Sequence, residues 1–270
     1  MESFKPGVMA RLGLDYGTVS AVKPSIVYLS ISSYGQTSSL ADHAGHDLNY
    51  AAMAGLLDQF RDGGGKPIAY SVPLADSITS LVANELLLAG LLKARTTGEG
   101  SYIDLSMTEA AMSVMGMHVA YDSVHHDEYK IFSGICKGIY ETKDGRYMVL
   151  HACEPKFFKN FCDAVGESEL LAHQMTQPGE DNAYYLKMVS IFKQRSFEEW
   201  TAFSERVDCC LTPVLHPGEL KDTGHVKERG MIQSIWGMDF VKFFYNGGKP
   251  YEFCERPYPV LGEDNKKYGC

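Results

Sequence analysis

The feature that most constrains the fold is an alternation of apolar strands and amphipathic helices in the first half of the chain. Residues 25–33 are rich in Ile, Val and Tyr and predict a buried strand. Residues 77–95 predict a long helix, because leucines recur at helical spacing and Gly98 follows as a terminator. Residues 98–107 predict a turn and a second strand. Strands alternating with helices indicate an α/β fold with a parallel sheet.

The pattern changes from residue 134 onward. Residues 134–153 predict two strands around a turn at Asp144-Gly145. Helical segments follow, and the last of them begins at a capping box of Ser196 and Glu199. A hairpin followed by helices is typical of a smaller α+β domain.

These patterns predict the domain organisation of the 270-residue chain. We expect a larger α/β domain over residues 1–133 and a smaller α+β domain over residues 134–214. We expect the tail, residues 215–270, to return to the larger domain.

Composition excludes several classes of protein. The net charge of −9 argues against a broad nucleic-acid surface. The seven cysteines form no CxxC pair, which predicts reduced thiols in an intracellular protein. The longest apolar run is interrupted by Gly90, so we expect no membrane span. The sequence shows neither a signal-peptide pattern nor a peroxisomal SKL-type end. A cytoplasmic location is favoured, and a mitochondrial or peroxisomal one stays open for a eukaryotic protein.

Three polar residues are candidates for catalysis. His46 lies at a predicted helix start, where the positive end of the helix dipole favours the neutral imidazole that moves protons. Asp76 lies at another predicted helix start. Glu154 lies where a strand meets a helix that begins with Pro155. Each also has an ordinary structural interpretation: a partly buried histidine, a helix N-cap and a dipole-complementing glutamate. The residues alone leave both interpretations open.

Two further motifs are not expected to bind ligands. The DGGGK segment at residues 62–66 lacks the P-loop spacing and predicts a solvated turn. Residues 125–128, His-His-Asp-Glu, are adjacent on one element and point in different directions, so we predict no metal site.

Several segments resemble the family III CoA-transferase superfamily, of CaiB/BaiF type, and within it the α-methylacyl-CoA racemases. The resemblance covers most of residues 4–216. The segments that carry it, in chain order, are GVMARLGL, SSYGQT, AGHDLNYAAMAGLL, VPLADS, GEGSYIDLSMTEA, YETKDGRYMVLHACEPKFF and CLTPVL. The pattern GHD-[IL]-NY, found here in the segment AGHDLNYAAMAGLL, is typical of the racemases, whereas the transferases usually lack its histidine.

The resemblance implies a fold and an activity. The fold is a Rossmann-like larger domain that binds CoA, shortened here at its N-terminus, with a smaller α+β domain, in an interlocked homodimer. The activity is racemisation of 2-methylacyl-CoA thioesters in lipid metabolism, by 1,1-proton transfer through an enolate. The partner is then an acyl-CoA substrate, and no cofactor is needed beyond the CoA moiety of that substrate.

The resemblance also implies roles for individual residues. His46 and Asp76 match the two proton-transfer residues, and Glu154 matches a glutamate that supports the histidine. Arg11 matches an arginine that contacts CoA, and Lys5 falls where the family has an arginine. The loop against the thioester and pantetheine comprises Gly45, Asp47, Leu48, Asn49 and Tyr50, beside His46.

This sequence departs from the family pattern in two ways, and these differences leave two alternative functions open. The family's chains begin before this one, with an additional strand, helix and CoA contacts. The racemases also follow the aspartate with a glycine-rich run, whereas residues 75–81 here read ADSITSL. The first alternative is an acyl-CoA:carboxylate CoA-transferase with Asp76 as nucleophile. The second is a shortened, inactive CoA-binding relative.

Overall fold

The structure is a computed structural model that describes residues 1–126, 133–235, 237–241 and 261–268. The chain forms two compact units, Met1–Lys130 and Ile131–Cys270. The second unit therefore includes residues 215–270, which the sequence analysis assigns to the larger domain.

The first unit contains six α-helices and two strands among its described residues. In chain order its elements are α1 (Val8–Arg11), α2 (Tyr16–Val22), β1 (Val27–Ser32), α3 (Asp47–Met53), a 3-10 turn (Leu57–Gln59), α4 (Leu74–Thr97), β2 (Ser101–Ser106), α5 (Met107–Ser113) and α6 (Gly116–His125).

The described part of the second unit contains a three-stranded sheet, a two-stranded sheet and a group of helices. Its described elements are β3 (Lys137–Glu141), β4 (Tyr147–His151), α7 (Pro155–Val165), a 3-10 helix (Ser168–His173), α8 (Ala183–Phe192), α9 (Phe197–Arg206), β5 (Leu211–Pro213), a 3-10 helix (Pro217–Asp222), α10 (Gly224–Glu228), β6 (Ile232–Ile235), β7 (Met238–Val241) and α11 (Asn265–Tyr268).

The strands of the first unit confirm the predicted α/β pattern. β1 and β2 are parallel, with Val27 opposite Ser101 and Ser32 opposite Ser106. The long helix α4 packs against both strands, and the apolar side chains between them form a buried cluster around Leu29. The chain between β1 and β2, which includes α4, is the crossover connection that parallel strands require, since a tight turn cannot join them.

Helix α4 bears on the expectation that the chain has no membrane span. It has 24 residues and contains an 18-residue window with a mean hydropathy of 1.3, so by length and composition alone it is a candidate for spanning a membrane. No other described helix has this property. Such a helix is weak evidence for a membrane span, because the core helices of soluble proteins meet the same criterion, and α4 packs on the sheet.

Three helix boundaries have local causes. Helix α3 ends at Met53, because Gly55 adopts a left-handed conformation with φ of 77°. Helices α5 and α6 are separated just before Gly116, a poor helix former. Helix α4 begins one turn earlier than predicted, directly after Pro73.

The second unit is built on an antiparallel sheet in the order β3–β4–β5. Its first two strands join at Asp144-Gly145, as predicted, and Gly145 takes the positive φ of 77° that this turn requires. The side chains of α7, α8 and α9 cover the sheet, with Trp200 fully buried and its Nε1 donating to the Phe192 carbonyl at 2.9 Å. The predicted capping box of Ser196 and Glu199 is present.

Candidate functional site

His46 occupies the N-cap of α3, as the sequence predicts. Its backbone is extended, with φ of −133°, and its backbone N–H donates to Oδ1 of Asn49 at 3.0 Å. His46 and Asn49 form a capping box at this helix start, and the His46 side chain is exposed. The exposed imidazole is accessible to a ligand.

The backbone just before His46 is held by aromatic packing. The buried Tyr50 donates from its hydroxyl to the carbonyl of Gly45 and lies 3.2 Å from the Ser33 hydroxyl. A Cβ on Gly45 would lie 2.6 Å from the Tyr50 ring and 2.8 Å from the Tyr34 hydroxyl. Only glycine fits this position, so the loop is fixed by sterics as well as by hydrogen bonds.

Asp76 is not the N-cap of its helix, which corrects the structural interpretation given above. Pro73 is the N-cap of α4, so Asp76 is the third helical residue. Its backbone N–H donates to Oδ2 of Asp47 at 3.0 Å. The first residue of α3 therefore caps the first turn of α4, and this contact joins the two helix starts.

Asp76 has two charged neighbours at the starts of the two helices. Asp47 accepts its backbone N–H, and His46 directly precedes Asp47 as the N-cap of α3. The pKa of Asp76 is raised, chiefly by partial burial and then by the negative charge of Asp47, while His46 lowers it. A carboxyl group with a raised pKa holds its proton to higher pH.

Tyr70 is a member of the site that the sequence analysis missed. It precedes α4 and packs on the cluster formed by Tyr50, Ala51 and Ala75. Burial raises the pKa of Tyr70 to about 12, and the interaction with the nearby Asp47 carboxylate, together with the charge of Asp76, raises it further. The segment around Tyr70 has no periodicity, so no local pattern marks the residue.

The side-chain hydroxyls in the first turns of α4 form hydrogen bonds with the backbone of the same helix. The side chains of Ser77, Thr79 and Ser80 donate to the carbonyls of Pro73, Ala75 and Asp76 at 2.7, 2.7 and 2.9 Å. The three hydroxyls therefore turn back onto the helix backbone.

The two predicted CoA contacts lie near the start of the chain. Arg11 ends α1 and is exposed, and its guanidinium lies close to Gly7. Lys5 is also exposed and donates to the carbonyl of Asp42 at 3.4 Å, in the loop that leads to His46. Leu48, the remaining residue of the predicted loop, is partly exposed on α3.

Glu154 belongs to the second unit. It is the N-cap of α7, Pro155 is the first helical residue, and the Glu154 side chain is exposed. This is the strand-to-helix position that the sequence predicts. Its negative charge reaches Cys210, whose pKa is raised by burial and then by Glu154.

The described residues contain no group of three or more His, Cys, Asp or Glu side chains able to hold a metal ion. His125 ends α6 and His126 follows in a left-handed conformation, with φ of 52°. Asp127 and Glu128, the other members of that motif, lie outside the described residues.

The arrangement in the first unit is suited to acid–base chemistry. It offers an exposed imidazole and a carboxyl group of raised pKa at the starts of two helices that pack together. The N-terminus of the long helix α4 adds a positive dipole end, which favours negative charge that develops on a bound ligand.

The sequence family agrees with this geometry. The model of CoA-transferase family III matches residues 1–265. The chain belongs to CoA-transferase family III. The family contains proteins of more than one activity, as the individual relatives show.

Curated relatives include racemases and transferases. A CaiB/baiF CoA-transferase family protein of Caenorhabditis elegans is 30% identical over 85% of this chain and 68% of its own length. The human alpha-methylacyl-CoA racemase is 29% identical over 85% of this chain and 62% of its own length. The human succinyl-CoA:glutarate CoA-transferase is 27% identical over 75% of this chain and 47% of its own length. The chain thus spans about half to two thirds of these proteins.

Solved structures show the same fold. A CAIB/BAIF family protein from Brucella suis superposes with a TM-score of 0.83 over 99% of this chain and 73% of that chain, at 20% identity. The mixed α/β architecture predicted from the sequence is therefore confirmed.

Proposed function

We propose that this protein is a racemase of 2-methylacyl-CoA thioesters. The observation that carries the proposal is the juxtaposition of His46 and Asp76 at the starts of α3 and α4, two helices that pack together and are joined by the Asp76–Asp47 hydrogen bond. Inversion at the α-carbon needs a base on one face and an acid on the other. An imidazole and a carboxyl group of raised pKa supply the two.

In the proposed mechanism each residue serves one face of the α-carbon. In one direction His46 removes the α-proton as a neutral base, and protonated Asp76 delivers a proton to the opposite face of the enolate. In the other direction Asp76 is the base and protonated His46 is the acid. The N-terminus of α4 lowers the energy of the enolate oxygen through its dipole.

Other residues of the family motif complete the proposal. Arg11 and Lys5 bind the phosphates of CoA, and the loop from Gly45 to Tyr50 lies against the thioester and pantetheine. Glu154 orients the imidazole of His46, with the two residues coming from different subunits of a homodimer. The reaction draws on no cofactor beyond the CoA moiety of the substrate.

We also propose an intracellular location. Reduced thiols support it: Cys136, Cys153, Cys162, Cys209 and Cys210 are all free. Burial raises the pKa of Cys136 and Cys209 to about 11 and that of Cys162 to about 12, so these thiols stay protonated and unreactive.

CoA transfer is the second candidate. The exposed Asp76 carboxylate, together with transferases among the relatives, favours it. Asp76 would then attack an acyl-CoA to form a mixed anhydride and free CoA thiolate. The thiolate would attack the Asp76 carbonyl of the anhydride, which releases the first acid and leaves a CoA thioester on Asp76. A second carboxylate would attack this thioester to form a new anhydride, and the released CoA thiolate would attack its acyl carbonyl, giving the new acyl-CoA and free Asp76. In that mechanism His46 has no role in proton transfer, and this difference separates the two candidates.

The test is solvent deuterium uptake at the α-carbon of a 2-methylacyl-CoA, measured for the wild type, His46→Ala and Asp76→Ala. The racemase proposal predicts uptake without a second acid, and a loss of a hundredfold or more in either variant. CoA binding to His46→Ala should stay close to that of the wild type, because Arg11 and Lys5 are unchanged.

The alternatives predict different outcomes in the same experiment. A transferase shows acyl exchange that needs a second acid, is inactivated by Asp76→Ala and is little affected by His46→Ala. An inactive CoA-binding protein shows no uptake while retaining CoA. Unchanged uptake in folded His46→Ala protein would refute the racemase assignment.

A further inference from the structure

Two polar atoms beside the proposed site are shielded from solvent without a well-formed hydrogen bond. They are the hydroxyl oxygen of Tyr70 and Oδ1 of Asp47, and neither is paired with a described residue in good geometry. A buried polar atom left unpaired destabilises a fold, so each of these atoms needs a partner.

The two atoms are chemically matched. A carboxylate oxygen only accepts hydrogen bonds, whereas a phenol donates one. Burial and the neighbouring Asp47 carboxylate raise the pKa of Tyr70 to about 12, so its hydroxyl carries a proton at neutral pH. Among the described residues, the Tyr70 hydroxyl is therefore a donor without an acceptor, and Asp47 Oδ1 is an acceptor without a donor.

The Tyr70 ring is held in place by its own loop. Phe60 and Tyr70 form an edge-to-face pair with centroids 5.2 Å apart. The Ile68 N–H donates to the Phe60 carbonyl at 2.9 Å, which brings the two arms of the loop together. The ring also packs on the cluster of Tyr50 and Ala75. The hydroxyl is thus directed by packing and not by a flexible side chain.

We propose that Tyr70 is a positioning residue whose hydroxyl donates to Oδ1 of Asp47. The other oxygen of that carboxylate, Oδ2, already accepts the N–H of Asp76 at 3.0 Å. Tyr70 thereby fixes the Asp47 carboxylate between the two helix starts and sets the position of Asp76. Its effect on catalysis rests on the proposed racemase function, whereas its effect on the Asp76 amide does not.

The first readout is independent of activity. We expect Tyr70→Phe to speed solvent exchange of the Asp76 amide about tenfold, because a mobile Asp47 carboxylate protects that amide less. Exchange is measured by NMR on ¹⁵N-labelled protein. The matched control is Tyr102→Phe, which removes a hydroxyl from an exposed tyrosine on β2 of the same unit. It should leave the Asp76 amide unchanged.

A double-mutant cycle separates positioning from general loosening of the fold. In an Asp47→Ala background the acceptor is gone, so adding Tyr70→Phe should change Asp76 amide exchange by less than about twofold. Equal acceleration by Tyr70→Phe in both backgrounds would overturn the proposal, as would wild-type exchange in the single variant. Melting temperatures of all variants verify folding.

The second readout is kinetic. We expect Tyr70→Phe to lower kcat for deuterium uptake about tenfold with KM unchanged, because a displaced Asp76 affects proton transfer and not CoA binding. A rise in KM with kcat unchanged would contradict positioning. If wild type shows no uptake at all, the racemase function fails, and the amide readout still decides the role of Tyr70.

Discussion

At the residue scale, the site depends on Asp47 as much as on the two proposed proton-transfer residues. The family resemblance places Asp47 in a substrate-binding loop. In the structure its carboxylate also caps Asp76 and raises the pKa of Asp76 by its charge. One carboxylate thus influences both the position and the proton affinity of its neighbour.

This dual role predicts a pH shift in Asp47→Asn. Removing the charge lowers the pKa of Asp76 toward its ordinary value, while Asn still offers an oxygen to the Asp76 N–H. In the direction in which Asp76 acts as base, the acid limb of kcat/KM should move to lower pH. The pH dependence of deuterium uptake measures this.

Asp42→Asn is a suitable control for that shift, because Asp42 is exposed and its side chain is not a cause of the Asp76 shift. Its acid limb should match that of the wild type. A limb that moves to higher pH in Asp47→Asn would contradict the assignment of Asp47 as the neighbouring charge.

The raised pKa of Asp76 also determines how its contribution to folding stability changes with pH. The folded chain binds this proton more tightly than the unfolded chain does. The stabilisation contributed by protonated Asp76 is therefore complete below the ordinary carboxyl pKa and is lost as pH rises through the folded-state pKa. The side chain is largely exposed, so solvent screening keeps this effect small.

At the element scale, the placement of α4 is decided by one glycine. A Cβ on Gly90 would lie 2.8 Å from Cγ1 of Val27 on β1. The residue that interrupts the apolar run in the sequence thus lies where the helix backbone approaches the sheet too closely for a side chain. Branched Val27 is short and stiff, so it cannot move aside freely.

Gly90→Ala is therefore expected to destabilise the fold. Overpacking costs about 1–3 kcal/mol, which exceeds the ~1 kcal/mol gained in helix propensity. We expect a lower midpoint in urea with an unchanged slope. Gly116→Ala is the matched control, since a Cβ there meets no atom within 4 Å, and it should be neutral or stabilising. Equal midpoints for both variants would contradict close packing at Gly90.

At the scale of the whole molecule, two helices of the first unit expose several large apolar side chains. Those on α4 and α6 include Leu81, Leu88, Leu92, Met117, Val119 and Val124. Exposed apolar side chains that lie together mark interaction surfaces. They support the interlocked homodimer that the family resemblance implies.

The dimer proposal predicts that Leu88→Glu weakens self-association. Leu88 is 66% exposed, so the substitution leaves the packing of the unit itself almost unaffected. A charge in a dimer interface would be buried and unpaired, which strongly disfavours association. Light scattering at micromolar concentration should show a dimer for the wild type and more monomer for the variant. Leu12→Glu, at a 60% exposed position outside both helices, is the control. A monomeric wild type would contradict the proposal.

The sequence by itself determined the elements whose causes are local. Alternating apolar patterns placed β1, β2 and the β3–β4 hairpin, Ser196 and Glu199 placed the start of α9, and Pro155 placed α7. These features depend on residues a few positions apart, which a sequence displays directly. The family motif likewise marked His46 and Asp76.

Only the tertiary structure decided how the site is held. Asp47 caps the helix of Asp76 across 29 residues of chain, and Tyr70 meets the same carboxylate through the packing of a loop without periodicity. The close approach at Gly90 also arises only when α4 docks on β1. Such contacts join residues that the fold makes neighbours, and their energies depend on burial and on distance, neither of which is written in local sequence.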